Sequence, residues 1–428
     1  MNTMLLGRFR AGTIVTVLVV TATSAMAEIE TPPGATAESL LDYARRQNPD
    51  YAAMRFDAVA AGERIGPAGA LPDPTLRTEL QNIGNSGSDA GPNLLPGRIG
   101  STKYTLIQPL PWWGKRDLRR EVAASEASQA GARAEVTWAD IALRIKAAHA
   151  QHYQLTRNEA LTQEILDLLS NIEQIAQTRY GAGLVPQQDV LRAQIEVTAL
   201  RTDLVMLETD HHHLQARINT LLRRPINASL MPPLRLRPLP PPEKLDYAAL
   251  EQRLQAKNPQ LFAAEAGIAA AEKNRDLTYR DRYPDLSVGI APIQRGSRID
   301  EWELMLELNI PLQQGSRRSR EREAEALLES ARARREAAQT QLLGELSESL
   351  TGIEAALRLR DLAQGRMLPQ AEISYRSALS AYENGRGDFA TLLEAQRQIQ
   401  KARLDAVKAE TDAQVRLAEI ERLLGEDL

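Results

Sequence analysis

The sequence predicts an α+β membrane protein in which long coiled-coil helices form a barrel that continues a transmembrane β-barrel pooled from several chains. Three observations predict it. A plan of helices and strand pairs is written twice, two stretches of about 65 residues are almost free of proline, and one strand alternates between an apolar and an acid-bearing face. Of 428 residues, 25% are charged, 43% hydrophobic and only 4% aromatic, with a formal net charge of -4 and no cysteine. These figures exclude a disulfide-stapled module, a cysteine-ligated metal protein and a nucleic-acid binder working through bulk positive charge. Abundant Ala, Leu, Glu, Arg and Gln is the composition of long helices packed through small side chains.

Residues 1–27 read as a secretory signal peptide: a basic start at Arg8 and Arg10, an apolar stretch from Ala11 to about Ala22, and small residues at Ala25-Met26-Ala27. No later run of 18 or more apolar residues occurs, so any crossing of a membrane is expected as a closed β-barrel. With no cysteine there is no thiol to carry an N-terminal lipid.

The two copies of the plan span 28–231 and 243–428, joined by a Pro-rich connector at 232–242. Arg46-Gln47-Asn48-Pro49 opens the first and Ala256-Lys257-Asn258-Pro259 the second, and Leu71-Pro72-Asp73 is matched by Tyr283-Pro284-Asp285. Leu110-Pro111-Trp112-Trp113-Gly114-Lys115 is matched by Ile310-Pro311 through Arg317, Tyr180-Gly181-Ala182-Gly183 by Tyr382-Glu383-Asn384-Gly385, and Leu221-Leu222 by Leu423-Leu424. The offset stays between about 200 and 212 residues, too regular for generic helices.

Each copy opens with a helix; the first runs from Thr36 to Arg64 and is expected to stop at Gly66-Pro67. Two strands follow, within 74–110 around a Gly/Ser/Asn/Asp-rich loop from Gly84 to Gly97, and within 285–312 around a shorter loop at Arg295 to Asp300. In the last strand Trp302, Leu304, Leu306, Leu308 and Ile310 share one face, and Glu303, Met305, Glu307 and Asn309 the other. Such alternation suits a strand between lipid and water, and equally a half-buried strand in a soluble sheet. Four strands cannot close a membrane barrel, which needs about eight, whereas three protomers would supply about twelve.

The helices from Lys115 to about Arg179 and from Ser316 to about Ala381, interrupted only by Pro369, would each reach about 100 Å. The first return helix carries a 3,4-spaced seam: Val190, Ala193, Val197, Leu200, Leu204, Leu207, His211, Leu214, Ile218 and Leu221. Shifted by 202 residues the seam survives with smaller side chains, from Leu392 through Ala402, Ala406, Ala409 and Ala413 to Leu423, so the two copies are expected to pack differently.

Arg179-Tyr180-Gly181-Ala182-Gly183-Leu184-Val185 followed by Asp189, with Tyr382-Glu383-Asn384-Gly385, resembles the two periplasmic tip turns of the TolC-type outer-membrane efflux family, and the resemblance covers the whole mature chain. Gln108-Pro109-Leu110-Pro111-Trp112-Trp113-Gly114-Lys115-Arg116 looks most like its heavy-metal branch. The resemblance implies a homotrimeric passive duct: a barrel of four strands per chain in the outer membrane, a helical tube in the periplasm, and docking to a periplasmic adaptor and an inner-membrane pump of the resistance-nodulation-division type. It further implies tip turns about 180–186 and 382–388, with Gly183, Leu184, Val185 and Gly385 meeting the adaptor. Asp189 falls on a charged position of the first turn and Glu394 on a constriction carboxylate. The second such carboxylate falls on Thr391 and an arginine position on Gly387, with Arg386 one place earlier, so the usual charge-paired gate is only partly matched. In a trimer an axial carboxylate becomes a ring of three charges that attracts cations; both acids could equally cap or solvate the helix starts after the turns.

No cofactor or resident metal is expected. His211, His212 and His213 point about 100° apart on one helix and cannot converge on an ion, and His149 with His152 supplies only two ligands. Trp112 and Trp113 fit an interfacial belt or packing at the strand-to-helix joint. No phosphate loop, nucleophile elbow or zinc-protease motif occurs, so no enzyme is expected. Architecture of this kind would also suit a type I secretion outlet, while an exported coiled-coil adaptor or adhesin would lack strand pairs inside each copy.

Overall fold

The computed structural model describes residues 32–83, 94–96 and 99–428, and all its elements lie in one compact unit, Pro33–Leu428. The expected signal peptide and most of the Gly84–Gly97 loop lie outside the described residues. Helices α1 (Ala37–Gln47), α2 (Pro49–Glu63) and α3 (Ile65–Gly69) precede strands β1 (Thr75–Gln81) and β2 (Ser101–Leu110). The long α4 (Lys115–Gly181) and return helix α5 (Gln187–Leu221) follow. After the connector come α6 (Tyr247–Lys257), α7 (Pro259–Arg280), β3 (Asp285–Arg295) and β4 (Arg298–Asn309). The chain closes with α8 (Gln314–Leu362), α9 (Leu368–Glu383) and α10 (Phe389–Leu424).

Three local outcomes differ from the sequence expectation. The opening helix breaks at Asn48 and, instead of stopping at Gly66-Pro67, restarts as α3, where Pro67 sits in a first turn that needs no N–H from it. The loop expected at Arg295 to Asp300 is only a Gly296-Ser297 turn, since a positive φ at Gly296 lets β3 and β4 pair almost to their ends. The second long helix passes Pro369 through one π turn, Ala363–Met367, which takes up the backbone bond that the imide nitrogen cannot make.

An asparagine organises each half in the same way. Asn48 Oδ1 accepts from the backbone of Asp50 and Tyr51 to cap α2, while Nδ2 donates to Leu221 O at 2.9 Å, the end of α5. Asn258 Oδ1 accepts from Leu261 N to cap α7, while Nδ2 donates to Leu423 O at 2.7 Å, the end of α10. Both side chains are buried. Around them lie two separate cores, one of Leu40, Ile141, Ile145, Leu214 and Ile218, the other of Leu250, Leu254, Leu346, Ile353 and Ile420. A third core, at the tips, draws on four helices: Ile165, Leu169, Val197, Phe389 and Leu392 are among its members.

The seam residues are buried or half-buried along both return helices. Their surroundings differ as the side-chain sizes predict: α5 packs on α4, whereas α10 is packed by α8, α9 and α4. Small residues such as Ala402, Ala406 and Ala413 let those neighbours close in. At mid-height the connector is fixed by Arg237, whose guanidinium bonds both oxygens of Glu421 at 3.1 and 2.8 Å, and Lys146 of α4 reaches the same carboxylate at 2.7 Å. Lys146 and Glu421 are both buried, so each charge depends on the other.

The helices form a wall with two free edges. In one half α2 packs on α4, α4 on α7 and α7 on α8; in the other α5, α4, α10 and α9 follow in turn. The outer members keep large apolar side chains exposed: Phe56 and Val59 on α2, Ile195, Val205 and Met206 on α5, and Leu359 and Ile373 on α8 and α9.

The strands form one antiparallel sheet in the order β1-β2-β3-β4. Register places Leu76 opposite Leu106, Leu106 opposite Ile290 and Ile290 opposite Leu304, a straight apolar row across all four strands, every member exposed. Leu306, Leu308 and Trp302 extend that face. The other face carries Arg77, Glu79, Lys103, Ser287, Glu303 and Glu307, with Lys103 paired to Glu303 at 2.5 Å. Among the described residues no helix is long and apolar enough to cross a membrane.

Replacing Asn258 by Ala removes a buried cap and strands the Leu423 carbonyl, which should cost about 1–2 kcal/mol. Thermal unfolding of the detergent-purified chain should show the loss, and an unchanged melting point would contradict it.

Candidate functional site at the helix tips

Both turns that reverse the long helices are built alike. Gly183 has φ +72° and donates to Tyr180 O at 2.9 Å, while Leu184 N reaches back to Arg179 O at 2.9 Å. Gly385 has φ +71° and donates to Tyr382 O at 3.0 Å, while Arg386 N reaches Ala381 O at 2.8 Å. This is the left-handed helix stop that glycine alone adopts without strain. Gly183, Leu184, Gly385 and Arg386 stand exposed at the apex, while Val185 is half-buried against the tip core.

The structure brings the two turns side by side. Arg179 donates to Tyr382 O at 3.2 Å and lies 5.2 Å from the Tyr382 ring centroid. Arg192 approaches Asp388 at 3.9 Å, and Arg397 of α10 grips both oxygens of Glu196 of α5 at 3.0 and 2.5 Å. Asp189, in the first turn of α5, is buried in the protomer. Burial raises its carboxyl above the ordinary range, the nearby Asp388 adds to this, and Arg192 opposes it. Glu394 is exposed on α10, where its charge adds to the stronger hold of Glu196 on Arg397. Asp189, Glu394 and Arg386 therefore sit at one end of the molecule in different settings, and the cross-helix pairs Glu196–Arg397 and Arg192–Asp388, with the Arg179–Tyr382 contact, join the turns. Glu196 flanks the seam residue Val197, as coiled-coil pairing charges do, but nothing local marks Arg397 as its partner.

Other residues singled out by sequence fall elsewhere. Trp112 stacks on Tyr283, with centroids 5.4 Å apart, and packs the joint between β2 and α4, whereas Trp113 is 74% exposed. The same joint is held by Lys115, which is buried and reaches Asp285 at 2.9 Å and Tyr283 O at 3.1 Å. His152 of α4 meets His211 of α5 with Nε2 atoms 3.1 Å apart, a pairing across helices that spacing along one helix does not disclose. Among the described residues no cluster of three or more His, Cys, Asp or Glu side chains is placed to hold a metal ion.

The model of the outer membrane efflux protein family matches residues 40–222 and again 250–426, once on each half. The chain belongs to the outer membrane efflux protein family. Among curated relatives it is 25% identical over 411 residues to the pyoverdine export outer membrane protein OpmQ of Pseudomonas aeruginosa, covering 91% of this chain and 83% of that one. It is 24% identical over 375 residues to nodulation protein T of Rhizobium leguminosarum bv. trifolii, covering 83% and 77%. Among solved structures, the outer membrane protein VceC of Vibrio cholerae superposes with a TM-score of 0.77 at 18% identity, over 91% of this chain and 96% of that one. The outer-membrane channel OprN gives 0.75 at 20% identity, over 91% and 89%. These likenesses establish that the fold is that of outer membrane efflux channels.

Two expectations follow from the tips and the histidine pair. Gly183→Ala should destabilise the turn by about 1 kcal/mol, because an L side chain at positive φ is strained; the α4–α5 tip should then exchange amide hydrogens faster. Burial holds His152 down at about 4, with His211 and His149 adding, while an unfolded imidazole titrates near 6.5. Between those values the unfolded chain binds a proton that the folded chain excludes, so stability falls as pH drops from 6.5 toward 4, by up to about 3 kcal/mol. A His152→Gln variant should show a visibly smaller acid-induced drop in melting temperature.

Proposed function

We propose that this chain is the exit duct of a tripartite efflux system, exported by the segment 1–27 and built from two copies of one structural unit. The observation that carries this reading is the apolar row Leu76, Leu106, Ile290 and Leu304 on a sheet whose edge strands β1 and β4 have no further partner among the described residues. An apolar sheet face suits lipid, but open edges in hydrocarbon leave backbone groups unsatisfied. Three copies joined β4 to β1 would close about twelve strands and leave no edge. The helical wall supports the same closure: its two edges differ and are both apolar, which suits a head-to-tail interface that turns into a ring. The barrel then lies in the outer membrane and the tube of helices in the periplasm.

In this assembly the exposed turns around Gly183, Leu184, Val185 and Gly385 meet a periplasmic adaptor, and a pump of the resistance-nodulation-division type supplies the energy. Transport through the duct is passive, with small substrates, metal cations among them, selected by the pump. Export by the relative OpmQ, named for pyoverdine, supports the efflux assignment. The gate lies at the tips: Glu394 becomes a ring of three charges, Arg386 adds a positive charge in the second turn, and Asp189 resists ionisation because it is buried, with Asp388 adding to the effect.

Planar-bilayer recording of the purified protein tests the reading. Conductance that requires the trimer is expected, and its absence would sink the channel assignment. Glu394→Gln should weaken blockade by multivalent cations several-fold; no change in blockade or leak would remove Glu394 from the gate.

A further inference from the structure

Where β2 hands over to α4 the surface holds a cavity of about 330 Å³, lined by Leu71, Leu110, Leu286, Trp112, Trp113 and Arg116, with Pro111, Gly114 and Asp117 completing its wall. We infer that this cavity is a binding site for a glycerophospholipid of the inner leaflet, which places an acyl chain on the leucines and its phosphate on Arg116. The inference rests on the barrel reading.

Continuity with the lipid-facing surface is the first argument. Leu110 pairs with Leu286, and Leu286 with Leu308, so these two leucines of the cavity belong to the same face as the row from Leu76 to Leu304, at the helix-proximal end of the strands. Along β3 the path from Ile290 through Val288 to Leu286 is apolar throughout, so a lipid tail lying there runs into the cavity past Gln108, the polar residue at that level of β2. Position in the sheet is the second. Leu110 and Leu286 are on the two central strands, away from the edges of β1 and β4, so ring closure between protomers leaves the cavity open to the membrane.

Charge selects the head group. Arg116 donates from Nε and Nη2 to Gly69 O at 2.9 and 2.8 Å, which fixes the guanidinium at the cavity, and among the described residues it pairs with no carboxylate. The one acid in the wall, Asp117, is paired with Arg120 at 3.3 Å. An uncompensated guanidinium over an apolar floor fits an amphiphile whose negative group sits next to its hydrocarbon. Trp113, its indole exposed beside this boundary, offers an apolar body and an N–H donor at head-group depth. The volume is too small for a whole lipid, so it holds the first part of one acyl chain while the rest lies along the sheet.

Native mass spectrometry of the full-length protein, extracted from outer membranes and washed through a delipidating detergent, tests the site. About one phospholipid per protomer should survive the wash. Trp113→Ala, at a largely exposed position, and Arg116→Gln should each lower retention about tenfold, while Arg116→Lys, which keeps the charge, should retain it. A wild-type trimer that carries detergent alone or a co-purifying protein at this ratio, or a Trp113→Ala trimer as lipid-loaded as wild type, would overturn the site and leave the barrel reading standing. Failure to find the protein in the outer membrane, or as a trimer, would overturn both.

Discussion

A backbone hydrogen-bonding group has to be satisfied wherever water is absent, and this requirement governs the strands and, through them, the rest of the chain. The sheet presents an apolar face made from leucine and isoleucine on all four strands, yet among the described residues β1 and β4 end it with unpaired ladders. In water that face would be a liability, and in hydrocarbon the edges would be. In the proposed assembly, joining copies edge to edge would resolve both and would ask the helices to present two complementary edges as well. Phe56 and Val59 on one side and Leu359 and Ile373 on the other are the exposed apolar side chains that such an assembly would cover. The asymmetry between α5 and α10 follows too: one return helix is packed within its protomer and the other keeps a bare face.

Much of this was legible in the residues because it depends on periodicity. Alternation across Trp302 to Ile310 gave the apolar face, and the 3,4 spacing from Val190 to Leu221 gave the seam that is buried in the structure. The glycines at 183 and 385 marked the reversals because the positive φ that ends α4 and α9 there is one that glycine adopts without strain. What stayed hidden depends on pairing between distant segments. Asn48 and Asn258 were visible only as markers of repetition, and their second role, holding the ends of α5 and α10, lies 173 and 165 residues away along the chain. Glu196 and Arg397 meet because α4 carries one return helix on each flank, which no local pattern encodes, while His152 and His211 meet across the α4–α5 hairpin, whose alignment spacing along one helix does not give. The π turn before Pro369 escaped for a different reason: sequence shows that a helix has a problem at proline without showing how the backbone absorbs it.

Charge is used in two ways along the molecule. At mid-height Lys146, Glu421 and Arg237 are withdrawn from water and locked together, an arrangement that fixes geometry more than it adds stability. At the tips Arg192, Asp388 and Arg397 sit near solvent while Glu196 is buried, and their pairs tie α5 to the second turn and to α10.

The tip core has a consequence for how the chain is made. Ile165, Leu169 and Val197 come from the first half, but they close on Phe389 and Leu392, synthesised about two hundred residues later. Contacts of such high contact order form late, so the tip of the first hairpin is completed only after the second half is made, whereas the core around Ile145 and Ile218 lies wholly within the first half. The apolar side chains of Ile165, Leu169 and Val197 therefore stay uncovered until the last helix is made, which leaves the tips the last part of the molecule to close.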